Sequence, residues 1–201
     1  FHCQKLNVKR VVLPRILTVA EIKKAHDEIP CEIEAFVFGN IGMMAEGRCS
    51  LTNYVTGKST NMDGVCSPAN FVHYEEGEDR QLKTRLGEFT IDCISRGESA
   101  GYPTICKGRY NTAHRREYYA FEEPVSLNLT RLLPDLMRAG VTALKIEGRQ
   151  RSRAYVKAVV SAFRKAVDAY SEGGEPDISN LLALTEGHRE TQGAFRSKTW
   201  R

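Results

Sequence analysis

The first forty residues alternate between short apolar runs and one amphipathic stretch. Residues 9–13 form a short apolar run that predicts a strand. Thr18 and Glu21 have the spacing of a capping box, and the amphipathic pattern after them predicts a helix to about Ile29, where Pro30 stops it. Residues 32–38 alternate charged and apolar positions before becoming strongly apolar, which predicts a second strand. This order is that of a β-α-β unit.

From Asn40 to about Arg80 the periodicity fades, and Gly, Asn, Ser and Pro accumulate. A stretch of this length without a repeating pattern is typical of a long ordered loop that something must hold in place. A bound metal would do so. Residues 86–94 and 118–122 have the composition of further strands.

Beyond Glu123 the pattern becomes regular again. Residues 126–139 have helical spacing, and Gly140 stands where a helix C-cap belongs. Residues 141–146 form a near-continuous apolar run, which is typical of a strand buried in a parallel sheet. Ser152 is a predicted N-cap for a helix that reaches about Tyr170. The alternation of strands and helices predicts an α/β fold.

The composition is that of an ordinary globular protein, with 201 residues, 41% hydrophobic and 27% charged. No apolar run approaches the roughly 18 to 20 residues of a membrane span, and the chain does not begin with a signal-peptide pattern. We therefore expect a cytoplasmic protein, in which the six cysteines more often bind metal than form disulfides. The absence of an initiator methionine suggests a fragment or a processed product.

Three cysteines lie in polar loops punctuated by Gly and Pro, and these are the candidate metal ligands: Cys49, Cys66 and Cys106. Sixteen residues separate the first pair and thirty-nine the second, so zinc-finger spacing is not met. The spacing is compatible with an iron–sulfur cluster whose ligands come from separate loops, because backbone N–H groups of Gly-rich turns can donate to its sulfurs. The alternative is a catalytic thiol at Cys49, beside Arg48, although no histidine stands in a matching motif.

Four charged residues at the end of the predicted strand 141–146 and in the turn after it are candidate catalytic residues: Lys145, Glu147, Arg149 and Arg151. In (β/α) proteins functional groups gather at the carboxyl ends of strands, and an arginine fork suits an anion. The alternative interpretation is a buried salt bridge at the end of the strand. A second basic group, at 107–116, is either a solvated face or an anion-binding surface.

Four segments together resemble the collagenase-like family historically called U-32 peptidases: Met-Ala-Glu-Gly-Arg-Cys49, Gly-Val-Cys66-Ser-Pro-Ala, Glu98-Ser-Ala-Gly-Tyr-Pro-Thr-Ile-Cys106-Lys-Gly-Arg-Tyr110 and Lys145-Ile-Glu-Gly-Arg-Gln-Arg-Ser152. The likeness covers nearly all of the chain. It implies that residues 1–201 are the C-terminal part of a partial TIM-barrel-like (β/α) domain. Residues 40–122 would form a cysteine-bearing loop insertion, and residues 172–201 a C-terminal tail.

The segments are most similar to the branch of this family that acts in oxygen-independent ubiquinone biosynthesis. The resemblance implies a hydroxylase subunit that modifies the ring of the quinone precursor, with prephenate as the oxygen donor. It also implies a heterodimer with a UbiV-like homologue and a lipid-binding accessory protein.

The resemblance further implies a [4Fe-4S] cluster on four cysteines, with Cys49, Cys66 and Cys106 as the last three. Where the family places the first cysteine this chain has Gly42. An open iron, a replacement ligand such as Cys31 or Cys93, and loss of the cluster are the three alternatives for this position.

Two other functions are weighed against this one. A peptidase would need an activated nucleophile or a hydrolytic metal, and the sequence contains no His-Glu-x-x-His run or nucleophile elbow. An RNA-base hydroxylating or RNA-binding relative is favoured by the two basic groups, but the net charge of +4 is modest. RNA is therefore the weaker expectation.

Overall fold

The computed structural model of the chain describes residues 2–44, 47–98 and 101–198. It divides into two compact units, which we call the sheet unit (Phe1–Ile41 and Val125–Arg201) and the cysteine unit (Gly42–Pro124). Parts of two sequence motifs, at 45–46 and 99–100, lie outside the described residues, as does the end of the chain at 199–201. In the described ranges, no helix has both the length and the apolar character needed to cross a membrane.

The helices and strands, in chain order, are α1 (His2–Lys5), β1 (Arg10–Leu13), α2 (Val19–Glu28), β2 (Glu32–Asn40), α3 (Ser50–Thr56), α4 (Thr60–Asp63), β3 (Val72–Glu76), β4 (Leu82–Leu86), β5 (Phe89–Ile94), β6 (Arg109–Tyr110), β7 (Tyr118–Tyr119), β8 (Ser126–Asn128), α5 (Leu133–Arg138), β9 (Val141–Ile146), α6 (Arg153–Ser171) and β10 (Glu190–Thr191). Short 3-10 turns occur between them, among them Ile105–Lys107 in the cysteine unit.

In the sheet unit, β2 is the central strand. It pairs in parallel with β1 and with β9, and its last residues pair with β8 in antiparallel fashion. The strand β10 extends this sheet by pairing with β8. Ile33, Ala35 and Val37 are buried at alternate positions, in one hydrophobic core with residues of α2, α5 and α6. The carboxyl ends of three parallel strands therefore meet at one edge, where the candidate catalytic residues stand.

In the cysteine unit, β3, β4 and β5 form an antiparallel meander, and β6 and β7 form a separate two-stranded hairpin. Leu86, Ile91 and Ile105 make the small core of this unit. Ile105 precedes Cys106 directly, so the packing of this core fixes the turn that carries one candidate ligand.

The α/β class is confirmed. Among the residues that the structure describes, however, the strands form open sheets and close no barrel, so the TIM-barrel part of the prediction is not confirmed. The predicted tail contributes Leu181 and Phe195 to the core of the sheet unit, where both are almost fully buried.

Three predicted elements were wrong in extent. The helix predicted at 126–139 begins only at Leu133, because Ser126–Asn128 pairs with β2 and the Asn128 side chain accepts a hydrogen bond from the Thr130 N–H. The strand predicted at 86–94 is the end of β4 and the whole of β5, since Gly87 turns the chain with a φ of +56°. The strand predicted at 118–122 is limited to β7.

Candidate functional site

Cys49 occupies the N-cap position of α3, and its sulfur accepts hydrogen bonds from that helix. The Thr52 backbone N–H lies 3.4 Å from Cys49 Sγ, and the Thr52 hydroxyl lies 3.3 Å from it. The Cys49 backbone N–H donates to Thr60 Oγ1 at 3.2 Å, which connects the start of α3 to the start of α4. A cysteine at an N-cap is uncommon, because oxygen side chains are the usual caps. Its position directs the sulfur at polar hydrogens, as a thiolate ligand requires.

The Thr52 hydroxyl also connects Cys49 to the second candidate ligand. Thr52 Oγ1 donates to the Cys66 carbonyl oxygen at 2.8 Å, and Thr52 is fully buried. On the other side of Cys66, Ser67 donates its hydroxyl proton to the Pro103 carbonyl at 2.6 Å, and the Tyr102 hydroxyl donates to the Ser67 carbonyl at 3.2 Å. The segment around Cys66 is thus bonded both to α3 and to the loop that leads into Cys106.

Cys106 lies in the 3-10 turn Ile105–Lys107 and is almost completely buried. Burial raises the pKa of its thiol to about 11, although the Lys107 ammonium and a hydrogen bond from the Met43 backbone N–H act to lower it. A negative charge on Cys66 also raises this pKa, because the two sulfurs are close enough to interact electrostatically. The thiol is therefore neutral at pH 7, and metal binding would have to release its proton.

Packing and an ion-pair network hold the Cys106 turn in place. Tyr110 Oη donates to the Ile105 carbonyl at 2.5 Å. A Cβ at Gly108 would lie 2.4 Å from the Ile91 carbonyl oxygen, so only glycine allows the turn to approach β5 this closely.

Arg109 joins three segments of the cysteine unit. Its Nε lies 2.6 Å from Asp92 Oδ1, and its Nη1 lies 2.9 Å from Glu98 Oε1. Burial alone would lower the pKa of Arg109, but the hydrogen bonds to these two carboxylates outweigh it and raise that pKa. The guanidinium therefore stays charged and connects β5, the loop before Cys106 and the β6–β7 hairpin.

The donor set of Cys49, Cys66 and Cys106 fits an iron–sulfur cluster in its chemistry. All three lie in the cysteine unit, and polar hydrogens from Thr52 and Met43 point at two of the sulfurs. Within the described ranges, no group of three or more His, Cys, Asp or Glu side chains is placed to hold a metal ion. This concerns a single ion, whose ligands must crowd around one centre. The thiolates of a cubane each bind a different iron and stand farther apart.

Gly42 stands next to this donor set in the chain, directly before Met43. A Cβ built on Gly42 meets no atom within 4 Å. The position therefore has space for a side chain, and its neighbour's N–H already contacts the Cys106 sulfur. Of the two proposed replacement ligands, Cys93 lies in β5 of the cysteine unit, whereas Cys31 precedes β2 in the sheet unit.

In the sheet unit, Glu147 forms an ion pair with Arg15 at the carboxyl edge of the sheet. Both side chains are mostly buried, with exposures of 17% and 14%. The Arg15 guanidinium stacks over the Phe36 ring, with its Cζ 3.8 Å from the ring centroid. The Glu147 backbone N–H donates to the Phe38 carbonyl at 2.8 Å, which fixes the start of the turn after β9.

Lys145 lies in β9, two positions before Glu147, and its side chain is on the same face of the sheet. Its Nζ is 2.8 Å from Glu34 Oε1 and 5.8 Å from the centroid of the Phe36 ring. Arg10 Nη1 lies 3.6 Å from the other oxygen of Glu34. Lys145 and Glu147 therefore belong to a chain of ion pairs around Phe36, which matches the salt-bridge interpretation as well as a site.

Arg149 and Arg151, in the turn after β9, differ in their partners. Arg151 pairs with Glu186, and its guanidinium lies 5.3 Å from the centroid of the Tyr155 ring. Arg149 is exposed and makes no ion pair with any residue that the structure describes. Of the four strand-end candidates, Arg149 is thus the one whose charge is available to a ligand without breaking an existing pair.

Sequence reasoning missed two residues of these sites. Arg15 follows the carboxyl end of β1 by two positions, so the strand-end argument that selected Glu147 applies to it equally. Thr52 gave no signal, because its role depends on the approach of Cys66, fourteen positions away in the chain.

The sequence pattern described as Peptidase family U32 matches residues 2–199. The chain belongs to this family. Relatives of the chain include proteins whose names refer to RNA. The tRNA hydroxylation protein P1 of Bacillus subtilis is 29% identical over 92% of the chain. The tRNA hydroxylation protein P of Escherichia coli is 32% identical over 98% of it.

An uncharacterized protease of Methanocaldococcus jannaschii is 27% identical over 84% of the chain. These matches cover 39%, 47% and 36% of the three relatives, so the chain spans less than half of their length. No solved structure matches the chain. The U32 chain is therefore a relative of proteins named for RNA hydroxylation, as well as of one named as a protease.

Proposed function

We propose that the chain is the cysteine-bearing part of a UbiU-like, oxygen-independent hydroxylase that acts on the ring of a ubiquinone precursor. In this proposal Cys49, Cys66 and Cys106 hold three irons of a [4Fe-4S] cluster. The cluster would supply one-electron chemistry. The observation that carries the proposal is that all three cysteines lie in one compact unit, with hydrogen-bond donors directed at the sulfurs of Cys49 and Cys106.

The residues of the sheet unit supply the second part of the proposal. Arg149 would bind a carboxylated molecule such as prephenate, because its guanidinium is exposed and the fork of an arginine matches a carboxylate. Lys145, Glu147 and Arg151 would keep the strand-end turn in position through their ion pairs. A UbiV-like homologue and a lipid-binding accessory protein would complete the assembly.

Hydroxylation of an RNA base is the second candidate function. The similarity to tRNA hydroxylation proteins of Bacillus subtilis and Escherichia coli favours it. The exposed basic tip of the β6–β7 hairpin, with Arg115 and Arg116, also favours an RNA backbone as a ligand. Both candidates share the hydroxylase chemistry and differ in the substrate.

The peptidase alternative has less support. Two relatives carry protease names, an uncharacterized protease and a collagenase, but the described residues contain no group placed to hold a hydrolytic metal ion. A nucleophilic Cys49 would need a base beside it, whereas its sulfur faces the hydroxyl and N–H of Thr52.

The test is to express the intact protein without oxygen in two bacterial strains, one lacking anaerobic ubiquinone hydroxylation and one lacking tRNA hydroxylation. We expect ubiquinone to be restored in the first strain and hydroxylated tRNA to stay absent in the second. Cys49→Ser, Cys66→Ser and Cys106→Ser should each abolish the restoration and lower the iron content of the purified protein. Cys31→Ser, in the other unit, is the matched control and should keep both.

Restoration of tRNA hydroxylation alone would contradict the quinone precursor as the substrate and identify RNA as the substrate instead. A folded wild-type protein that contains no iron or sulfide after anaerobic purification would contradict the cluster. Peptide cleavage that persists in the three cysteine variants would contradict the hydroxylase chemistry itself.

A further inference from the structure

The hydroxyl of Thr52 contacts two candidate ligand segments at once. It lies 3.3 Å from Cys49 Sγ and 2.8 Å from the Cys66 carbonyl oxygen, and Thr52 is fully buried. Water does not reach this hydroxyl, so the two contacts are its means of satisfying a buried polar group.

A threonine hydroxyl has one proton and two acceptor lone pairs. The Cys66 carbonyl can only accept, so the hydroxyl proton lies on the shorter contact of 2.8 Å, and the Cys49 sulfur at 3.3 Å is the weaker of its two acceptors. A cysteine that binds a metal has lost its proton and can only accept. The Thr52 proton is then shared between the Cys49 sulfur and the Cys66 carbonyl.

We propose that Thr52 is a positioning residue for the cluster: its hydroxyl joins the Cys49 and Cys66 segments and donates to the Cys49 sulfur when that sulfur binds iron. The inference rests on the cluster of the proposed function. Sixteen residues separate the two cysteines, and this buried contact fixes the distance between their segments independently of the loop that connects them.

The same helix provides a matched control one turn later. The Thr56 hydroxyl is also buried, and it donates to the Thr52 carbonyl at 2.8 Å and accepts from the Lys58 N–H at 3.1 Å. It contacts neither candidate ligand. Thr56→Val therefore removes a buried hydroxyl from α3 without touching the cysteines, whereas Thr52→Val removes the link between them.

The experiment uses the intact, anaerobically purified protein with its iron and follows the loss of iron to a chelator. We expect Thr52→Val to lose iron about 10- to 100-fold faster, the range for partners of metal ligands. Thr52→Ser, which keeps the hydroxyl, should behave like wild type, and so should Thr56→Val. The reduction potential should fall in Thr52→Val alone, because a hydrogen bond to sulfur stabilises the more negative reduced cluster.

Equal iron-loss rates and equal potentials in Thr52→Val and wild type would overturn the inference while leaving the proposed function intact. Loss of iron in Thr52→Val and Thr56→Val alike would also overturn it, since the effect would then come from destabilising α3.

A wild-type protein without iron would instead contradict the cluster, and hydrogen exchange then decides the remaining part of the inference. If Thr52 joins the two segments, exchange in residues 49–67 should increase in Thr52→Val and not in Thr56→Val. Unchanged exchange in both variants would overturn the link as well.

Discussion

Gly39 shows how one residue sets the geometry of the strand-end site. Its φ is +135°, a conformation that L-residues with a side chain rarely adopt, and an added Cβ would lie 2.5 Å from the Cβ of Glu147. The close approach allows the end of β2 to pass directly beside the turn that follows β9. Glycine at this position therefore determines where the Arg15–Glu147 pair lies.

We predict that Gly39→Ala lowers the free energy of unfolding by about 2 kcal/mol or more, because backbone strain and a steric clash act together. Gly173→Ala, in the same unit, is the control: its φ is +78° but an added Cβ meets no atom within 4 Å. It should cost about 1 kcal/mol or less. Urea unfolding of both variants measures the difference, and equal losses would mean that Gly39 and Glu147 do not approach as described.

Gly42 is the second informative residue. We predict that Gly42→Cys changes the visible and EPR spectra of the anaerobically purified intact protein and slows the loss of its iron, because a fourth thiolate would complete the ligand set. Gly101→Cys is a matched control, since a Cβ there also meets no atom within 4 Å. If Gly42→Cys and Gly101→Cys both leave the spectra unchanged, position 42 is not adjacent to the iron.

At the scale of elements, α2 is fixed by the most complete local signal in the chain. Thr18 accepts from the Glu21 N–H, and Glu21 accepts from the Thr18 N–H, so both halves of the predicted capping box are present. Lys198 Nζ lies 2.6 Å from Glu21 Oε1. Hydrogen bonds from Lys198 and from the Thr18 N–H lower the pKa of Glu21 to about 2.

This shift predicts an acid-dependent loss of stability. The pKa of Glu21 in the folded protein lies below its ordinary value of 4.5. Its contribution to the free energy of unfolding is therefore fully present above about pH 4.5 and disappears as the pH falls towards 2. We expect the free energy of unfolding of Glu21→Gln to depend less on pH in this range than that of the wild type.

Glu28→Gln, whose carboxylate lies on the same helix 4.0 Å from Lys24, should leave that dependence close to wild type. Urea unfolding between pH 2 and 6 measures the three proteins. Identical pH profiles for wild type and Glu21→Gln would contradict the capping interaction.

At the scale of the whole molecule, the two units differ in how much apolar core they contain. The sheet unit has a core built from three helices and the sheet. In the cysteine unit the core around Leu86, Ile91 and Ile105 is small. A unit with few buried apolar side chains gains proportionally more from a metal that connects its loops.

We therefore predict that chelation of iron from the intact protein increases hydrogen exchange mainly in residues 42–124. The sheet unit should keep its protection, because none of the three candidate ligands lies in it. Comparison of exchange before and after chelation tests this. An equal increase in both units would mean that the metal stabilises more than the cysteine unit, and no change would place the metal elsewhere.

The elements that were predicted correctly have strong local signals. The capping box of α2, the Ser152 cap of α6 and the apolar run of β9 each depend on residues close together in the chain. The segment 126–128 was misread as helix because its strand conformation comes from pairing with β2, nearly ninety positions earlier in the chain. The candidate cysteines were selected for the residues around them, whereas Thr52 became visible only when Cys66 was placed beside it.

The α/β class, the family and the candidate chemistry follow from the sequence alone, because periodicity, capping residues and cysteine-bearing motifs are local properties of the chain. Tertiary structure decided that Lys145 and Glu147 are held in ion pairs with Glu34 and Arg15. It also decided that the Cys106 thiol is buried and that Thr52 joins Cys49 to Cys66. These are contacts between residues far apart in the chain, and only folding sets their distances and their exposure to water.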